Sequence, residues 1–359
     1  MSQDDPVDTV TPPARRFPKI FTKHEQFWVD NQPFILSRGY RLRPRYDPDW
    51  VPSWSTRVDP KGEYEDDLHP FMSCPVLDAI RIGDGKKVVF KRVPTDGPEL
   101  NIAMYLSSPE MRSDSRNHTV PIEVISLPHD SSWTFLVMPY CRSFDYPPFH
   151  CRAEFLEAMR QYLEGLQFMH DHKVSHFDIA PQNLMMDESR VVPRGSHFCR
   201  PRTHNGFYNL FSWKNRCSVG PVEYYYIDFG LSMYFPDGKD TALTLGTLRT
   251  FKTIPELSLD VPYNPFKVDV FQLGLTMHKI IKTYPALSAF RPVADNMMKP
   301  NPQDRPEPSD SLAHLNSIAA RMSSRKLRAS IWEKKGIFNH LTRQVLGGYL
   351  NDHPPSETI

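Results

Sequence analysis

From Val76 the apolar positions fall in short bursts that suit strands. VLDAIRI, the turn Gly83-Asp84-Gly85 and KKVVFKRV read as two strands joined by a hairpin. In PELNIAMYLSS (Pro98–Ser108) the period changes. Proline stands in the first turn and apolar residues recur at Leu100, Ala103, Met104 and Leu106, which predicts a short helix. PIEVISL and WTFLVMPY return to the strand pattern. Beyond Pro148, Phe155, Met159, Tyr162, Leu163 and Leu166 mark one face of a long helix ending near His172. A second helix, from Lys267 to Ile281, is apolar nearly all round, which predicts burial at the centre of a domain. The pattern is that of a small sheet with one helix, followed by a mainly helical half.

Both ends depart from this pattern. Residues 1–70 are punctuated by proline and rich in aromatics and charge. Two tryptophans and two tyrosines in YRLRPRYDPDWVPSW (Tyr40–Trp54) predict an extended arm lying on a folded body rather than a solvated tail. At the other end, SIWEKKGIFNHLTRQVLGGYL has the spacing of one more amphipathic helix.

Composition narrows the picture. A chain of 359 residues with 40% apolar residues can bury a sizeable core. Its 43 basic and 42 acidic side chains nearly cancel, so neither nucleic acid nor a membrane surface is an expected partner. The 35 prolines predict long irregular segments. Five cysteines, odd in number and without CxxC spacing, read as reduced thiols. With no leader-like or spanning apolar run, the expected location is the cytoplasm or nucleus.

The candidate chemistry sits between the helices. KVSHFDIAPQNLMMD places His176, Asp178 and Asn183 just after the long helix and before an apolar run. YYYIDFG ends an apolar run in Asp228-Phe229-Gly230, and VVFK sets Lys91 within a strand. Singly these signals are weak. A strand lysine is ordinarily a snorkelling surface residue. His170, His172 and His176 lack a cysteine or acidic neighbour at ligand spacing, so they do not predict a metal site.

In order, the set resembles the protein kinase family. VVFK, HFDIAPQN, DFG and IPE stand where that family has V-A-I-K, H-R-D-x-x-x-x-N, D-F-G and A-P-E. RYDPDWVPSW, PVEYYYIDFGLS and YNPFKVDVFQLG are most similar to uncharacterised kinase-like proteins of fungi. The resemblance implies an α+β bilobal fold with a β-rich N-lobe at 71–140 and a larger helical C-lobe at 141–325. Residues 1–70 would be an N-terminal extension and 326–359 a C-terminal helical extension. It implies ATP and Mg²⁺ as cofactors and a protein hydroxyl as acceptor. Asp178 would accept the hydroxyl proton. Lys91, fixed by Glu99, would hold the α- and β-phosphates, with Glu110 the weaker candidate for that pairing. Asn183 and Asp228 would ligate Mg²⁺. Met138 would be the gatekeeper, and the backbones of Pro139 and Cys141 would meet adenine. Asp269 would bind the catalytic-loop backbone. Glu256 would pair with Arg305 in a buried ion pair whose breakage costs about 3–5 kcal/mol.

Four departures shape the function. No G-x-G-x-x-G precedes Lys91. Phe177 replaces the arginine that meets an activation-loop phosphate, so phosphate on Thr241, Thr244, Thr247 or Thr250 is not expected to be the switch. Ala180 replaces a lysine that supports the γ-phosphate, a loss on the order of 3 kcal/mol, which predicts slow turnover. Asn183 and Asp228 are separated by an insertion, 189–222, with six Arg or Lys residues and no Asp or Glu. It reads either as a surface loop anchored by its aromatics or as a docking surface for acidic or phosphorylated partners. The expectation is an ATP-dependent protein kinase, Ser/Thr-directed rather than Tyr-directed. The alternative is a pseudokinase acting as a binding scaffold. A small-molecule kinase of the choline or aminoglycoside type is disfavoured by Pro255-Glu256 with Arg305.

Overall fold

The computed structural model describes residues 21–53, 75–207, 211–248, 251 and 253–334. Helix α1 (Lys23–Ser37) comes first. Its cap is reciprocal: the Glu25 N–H donates to the Thr22 hydroxyl at 3.2 Å, and the Thr22 N–H donates to the Glu25 carboxylate at 2.9 Å. Gly39, at φ 88°, turns the chain into strand β1 (Tyr40–Leu42). The hairpin β2 (Val76–Arg81) and β3 (Lys87–Pro94) follows, then α2 (Pro98–Leu106), α3 (Pro109–Arg112), β4 (Glu123–Ser126) and β5 (Trp133–Pro139). The strands form one antiparallel sheet in the order β1-β2-β3-β5-β4.

Strand alternation assigns the two faces of this sheet different work. Leu77, Ala79, Val88, Phe90, Phe135 and Val137 share a cluster with Trp28, Val29 and Ile35 of α1. Trp28 stacks on Phe135 with centroids 5.5 Å apart. Opposite them, Val93, Leu136 and Met138 join the main core of the C-lobe. Lys91 pairs with Leu136 and Val89 with Met138, so the lysine points to the face between the lobes.

Over residues 21–53 these elements replace the extended arm expected there; the rest of 1–70 lies outside the described residues. A helix covers the sheet, and β1 is one of its strands. The helical stripe is hard to read because Glu25 and Gln32 lie on its buried side and Pro33 interrupts it. Glu25 is buried because Arg45 donates to it at 2.6 Å.

The C-lobe begins with β6 (Cys141–Ser143) and α4 (Arg152–Asp171). Short strands β7 (Val174–Ser175), β8 (Leu184–Asp187), β9 (Tyr224–Tyr226) and β10 (Met233–Tyr234) follow. The hairpin β11 (Thr244–Gly246) and β12 (Ser258–Tyr263) then leads into α5 (Pro265–Thr283), α6 (Arg291–Met297), α7 (Pro308–Ala320) and α8 (Ser324–Arg328). As its apolar composition predicts, α5 is buried along most of its length. Glycine lets α5 approach α6 and α4 approach the loop before β4. A Cβ on Gly274 would lie 2.7 Å from Met297 Cβ, and one on Gly165 would lie 2.8 Å from His118 Cβ. Of the helix expected in SIWEKKGIFNHLTRQVLGGYL, Ser330–Lys334 are not helical, and the remainder lies outside the described residues.

Candidate active site

Lys91 rises from β3 toward Glu99 in the first turn of α2. Its ammonium forms an ion pair with the Glu99 carboxylate and donates to Asp228 Oδ1 at 2.8 Å. Glu110 stands exposed on α3, so among the sequence candidates Glu99 is the partner. Burial opposes the charge on Lys91, but Asp228 and Glu99 together hold its pKa above the ordinary lysine value. Burial likewise opposes ionisation of Asp228. Lys91 and the Gly230 N–H outweigh it and keep the Asp228 carboxyl below its ordinary pKa. Burial raises Glu99 despite its lysine.

The second half of the site is a loop held by its own backbone. His176-Phe177-Asp178 leaves β7 with Phe177 at φ 65°, a rare value for a bulky residue. Asp269, fully buried on α5, accepts the His176 N–H at 2.9 Å and the Phe177 N–H at 2.7 Å. One turn on, Gln272 accepts the Ile179 N–H at 2.8 Å and donates to the Phe177 carbonyl at 3.0 Å. Ser232 donates to the His176 carbonyl at 3.0 Å. The loop therefore presents Asp178 in a fixed place. Asn183, ending a short 3₁₀ turn, donates to Asp178 Oδ2 at 2.8 Å and to the Asp178 carbonyl at 2.9 Å. Burial raises the Asp178 pKa, with the charge of Asp228 adding to the rise and His176 and Asn183 opposing it.

The two halves meet through β8 and β9. Leu184 pairs with Tyr226, and the Ile227 N–H donates to the Asn183 carbonyl at 3.1 Å. That pairing carries Asp228, at φ 66°, to Lys91 and within reach of Asp178. Met138 and Pro139 end β5 and Cys141 begins β6, and burial pushes the Cys141 thiol well up. The three histidines diverge. His170 Nε2 donates to Asp269, His172 Nδ1 to the Phe168 carbonyl and His176 Nε2 to the Ile227 carbonyl.

Farther along, the Arg305 guanidinium pairs bidentately with Glu256. It also donates to the carbonyls of Lys299, Lys267 and Pro300. A family model for the protein kinase domain matches residues 73–324, most of the chain. The chain belongs to the protein kinase family. It is 32% identical over 121 residues to a probable serine/threonine-protein kinase HAL5-like of Kluyveromyces lactis, covering 31% of this chain and 15% of that protein. It is 30% identical over 142 residues to serine/threonine-protein kinase 17A of Oryctolagus cuniculus, covering 33% and 36% respectively. A probable casein kinase II subunit alpha homolog of Encephalitozoon cuniculi matches at 21% identity over 174 residues, 48% of this chain and 44% of the relative. The chain thus spans less than half the length of each of these curated relatives. Among the described residues, no helix is long and apolar enough to cross a membrane.

Two features of this kinase family member were missed at the sequence level. Gln272 and Ser232 act on the loop backbone, and only the spacing of Gln272 three positions after Asp269 hints at a role. The insertion packs against β3 and β6. The Ser196 carbonyl accepts Lys87 Nζ at 2.6 Å, and the buried Glu188 carboxylate joins Arg142 to the Ser196 N–H and hydroxyl. Its basic groups are partly used inward. Arg216 donates to the Phe144 and Pro147 carbonyls, Arg200 donates to Gly206, and Arg202 lies over the Tyr146 ring.

Proposed function

We propose that this chain is an active protein kinase that moves the γ-phosphoryl group of ATP to a serine or threonine hydroxyl, slowly. One observation carries the reading: Lys91 is held between Glu99 and Asp228, and Asp178, tied to Asn183, stands close enough to Asp228 to feel its charge. Phosphoryl transfer asks mainly for positioning and charge neutralisation. In this reading Lys91 binds the α- and β-phosphates, and Glu99 keeps it from swinging away. Asp178 accepts the proton of the attacking hydroxyl at its carboxylate. Its tether to Asn183 restricts the direction in which it can do so.

The residues present fit Mg²⁺. Asp228 and Asn183 offer hard oxygen donors. Asn183 spends its NH₂ on Asp178, which leaves its amide oxygen for a cation. Gly230 keeps open a space beside Asp228 Oδ1, where a Cβ would sit at 3.2 Å. When bound there, the ion would neutralise charge on the phosphates.

Ala180 is fully buried and Gln182 is exposed and uncharged, so neither replaces the missing lysine. This supports slow turnover. The serine/threonine preference rests on Pro181 and on the names of the relatives. The insertion is anchored by buried Arg216 on the Phe144 and Pro147 carbonyls, while Arg190, Arg194, Arg202 and Lys214 stay exposed and suit a docking surface for acidic or phosphorylated partners. The deciding experiment incubates purified chain with labelled ATP, Mg²⁺ and a mixed peptide array, beside Asp178→Asn and Asp228→Asn variants. Label transfer lost in both variants supports the enzyme. ATP binding without transfer by the unmodified chain would instead make it a scaffold.

A further inference from the structure

The far end of α4 holds a cluster that phosphoryl transfer does not use. His150 and Cys151 lead into the helix, Glu154 lies in its first turn, and Cys217 comes from the insertion. One ligand atom from each lies within 4.8 Å of all the others. His150 Nδ1 stands 3.6 Å from Cys217 Sγ. Tetrahedral coordination at Zn–N and Zn–S lengths of about 2.0–2.3 Å puts ligand atoms roughly 3.3–3.8 Å apart. The histidine–cysteine pair is already at that spacing, and a pair at the 4.8 Å limit would need to close by about 1 Å.

We propose that these four side chains form a structural zinc site that staples the insertion to the start of α4. The surroundings suit a metal. His150 Nε2 lies 3.0 Å from the Ser330 hydroxyl, the outer partner that fixes a ligating imidazole with its proton on Nε2 and its Nδ1 turned to the ion. The Glu154 oxygens each accept one backbone N–H, from Cys217 at 2.9 Å and His150 at 2.7 Å. Those bonds orient the carboxylate and leave it further lone pairs. Two thiolates and a carboxylate around Zn²⁺ carry one net negative charge, and Arg216 Nη1 lies 3.6 Å from Glu154 Oε2 to balance it. Cys151 is fully buried, whereas Cys217 is exposed and gives the ion a way in. The site joins three stretches distant in sequence, since Ser330 also pairs with Cys151 as an isolated bridge.

The test uses the full chain, free of any affinity tag and purified without chelator. Zinc is added, excess is dialysed away, and metal is counted by mass spectrometry. About one zinc per chain is expected, with none retained by Cys217→Ala or Cys151→Ala. Cobalt in place of zinc should give a thiolate charge-transfer band that both variants lose. Because Cys217 is exposed, its replacement should leave the circular dichroism of the fold intact. Three results would overturn the proposal: no zinc retained by the unmodified chain, zinc retained equally by Cys217→Ala, or an intact mass two hydrogens short showing a Cys151–Cys217 disulfide in the zinc-treated protein. The site is a 20-residue helix, roughly 30 Å, from the His176 loop, so phosphoryl transfer by Cys217→Ala should persist.

Discussion

Asp269 accepts the Phe177 N–H at 2.7 Å from a position 92 residues later in the chain. The bond holds a bulky residue in the left-handed region, directly before Asp178, and the same carboxylate takes His176 N–H and His170 Nε2–H. Asparagine has one acceptor oxygen and would aim an NH₂ at a donor. Asp269→Asn should therefore lose about 1–3 kcal/mol of stability in denaturant titrations. It should also lower the phosphoryl-transfer rate at saturating ATP by at least about tenfold, since Asp178 would no longer be held. As a positioning residue, Asp269 should leave the pH profile of the remaining activity unmoved.

Phe177 makes the activation segment an apolar problem rather than a phosphate-binding one. Its ring runs parallel to Tyr263 with centroids 6.2 Å apart, in a cluster with Leu248, Phe251, Ile254 and Val268. No cation stands at position 177 to pair with a phosphate. Simultaneous alanine at Thr241, Thr244, Thr247 and Thr250 should keep the transfer rate within about twofold, measured on protein from cells and on phosphatase-treated protein. A collapse in rate would show that phosphate orders the segment by another route. Thr250 lies outside the described residues.

Legibility followed the range of each interaction. Lys91, Asp178, Asn183 and Asp228 could be singled out because their order and spacing resemble the protein kinase motifs. Glu99 could be singled out because that resemblance calls for an acid on the short helix to pair with the lysine. Gln272 and Ser232 left little trace, because they bond backbone atoms and any loop sequence would accept them. Helix α1 hid behind the buried pair of Glu25 and Arg45, which puts a charge where the helical pattern calls for an apolar residue. The His150, Cys151, Glu154 and Cys217 cluster was invisible in the scattered cysteines, because only the fold of the insertion brings Cys217 to the helix.

The Arg305–Glu256 pair tests the C-lobe independently of catalysis. The Arg305 side chain is fully buried and that of Glu256 nearly so. Removing one partner strands the other charge. Glu256→Ala should cost about 3–5 kcal/mol in denaturant unfolding, and Arg305→Ala a similar amount. Arg305 also donates to three carbonyls, so the double variant should remain well below the parent rather than recover it.

The environment of Asp178 ties activity and stability to pH in opposite senses. Burial, helped by Asp228, raises its pKa above the ordinary 3.8. Only the carboxylate can accept the hydroxyl proton. The acid limb of the pH–rate profile should therefore lie above the ordinary aspartate range and vanish with the activity in Asp178→Asn. For stability the sign reverses. The folded chain keeps this proton at a pH where the unfolded chain has released it, so the group favours folding below the unfolded pKa. That contribution is lost as pH rises through the folded pKa. Asparagine does not titrate and can still accept the Asn183 N–H. Asp178→Asn should therefore be more stable than the parent at neutral pH, with the advantage shrinking as pH falls toward 3.8. Thermal unfolding of the two chains across that range would show it. A variant less stable than the parent at pH 7 would mean that Asp178 helps to hold the loop together rather than being held by it.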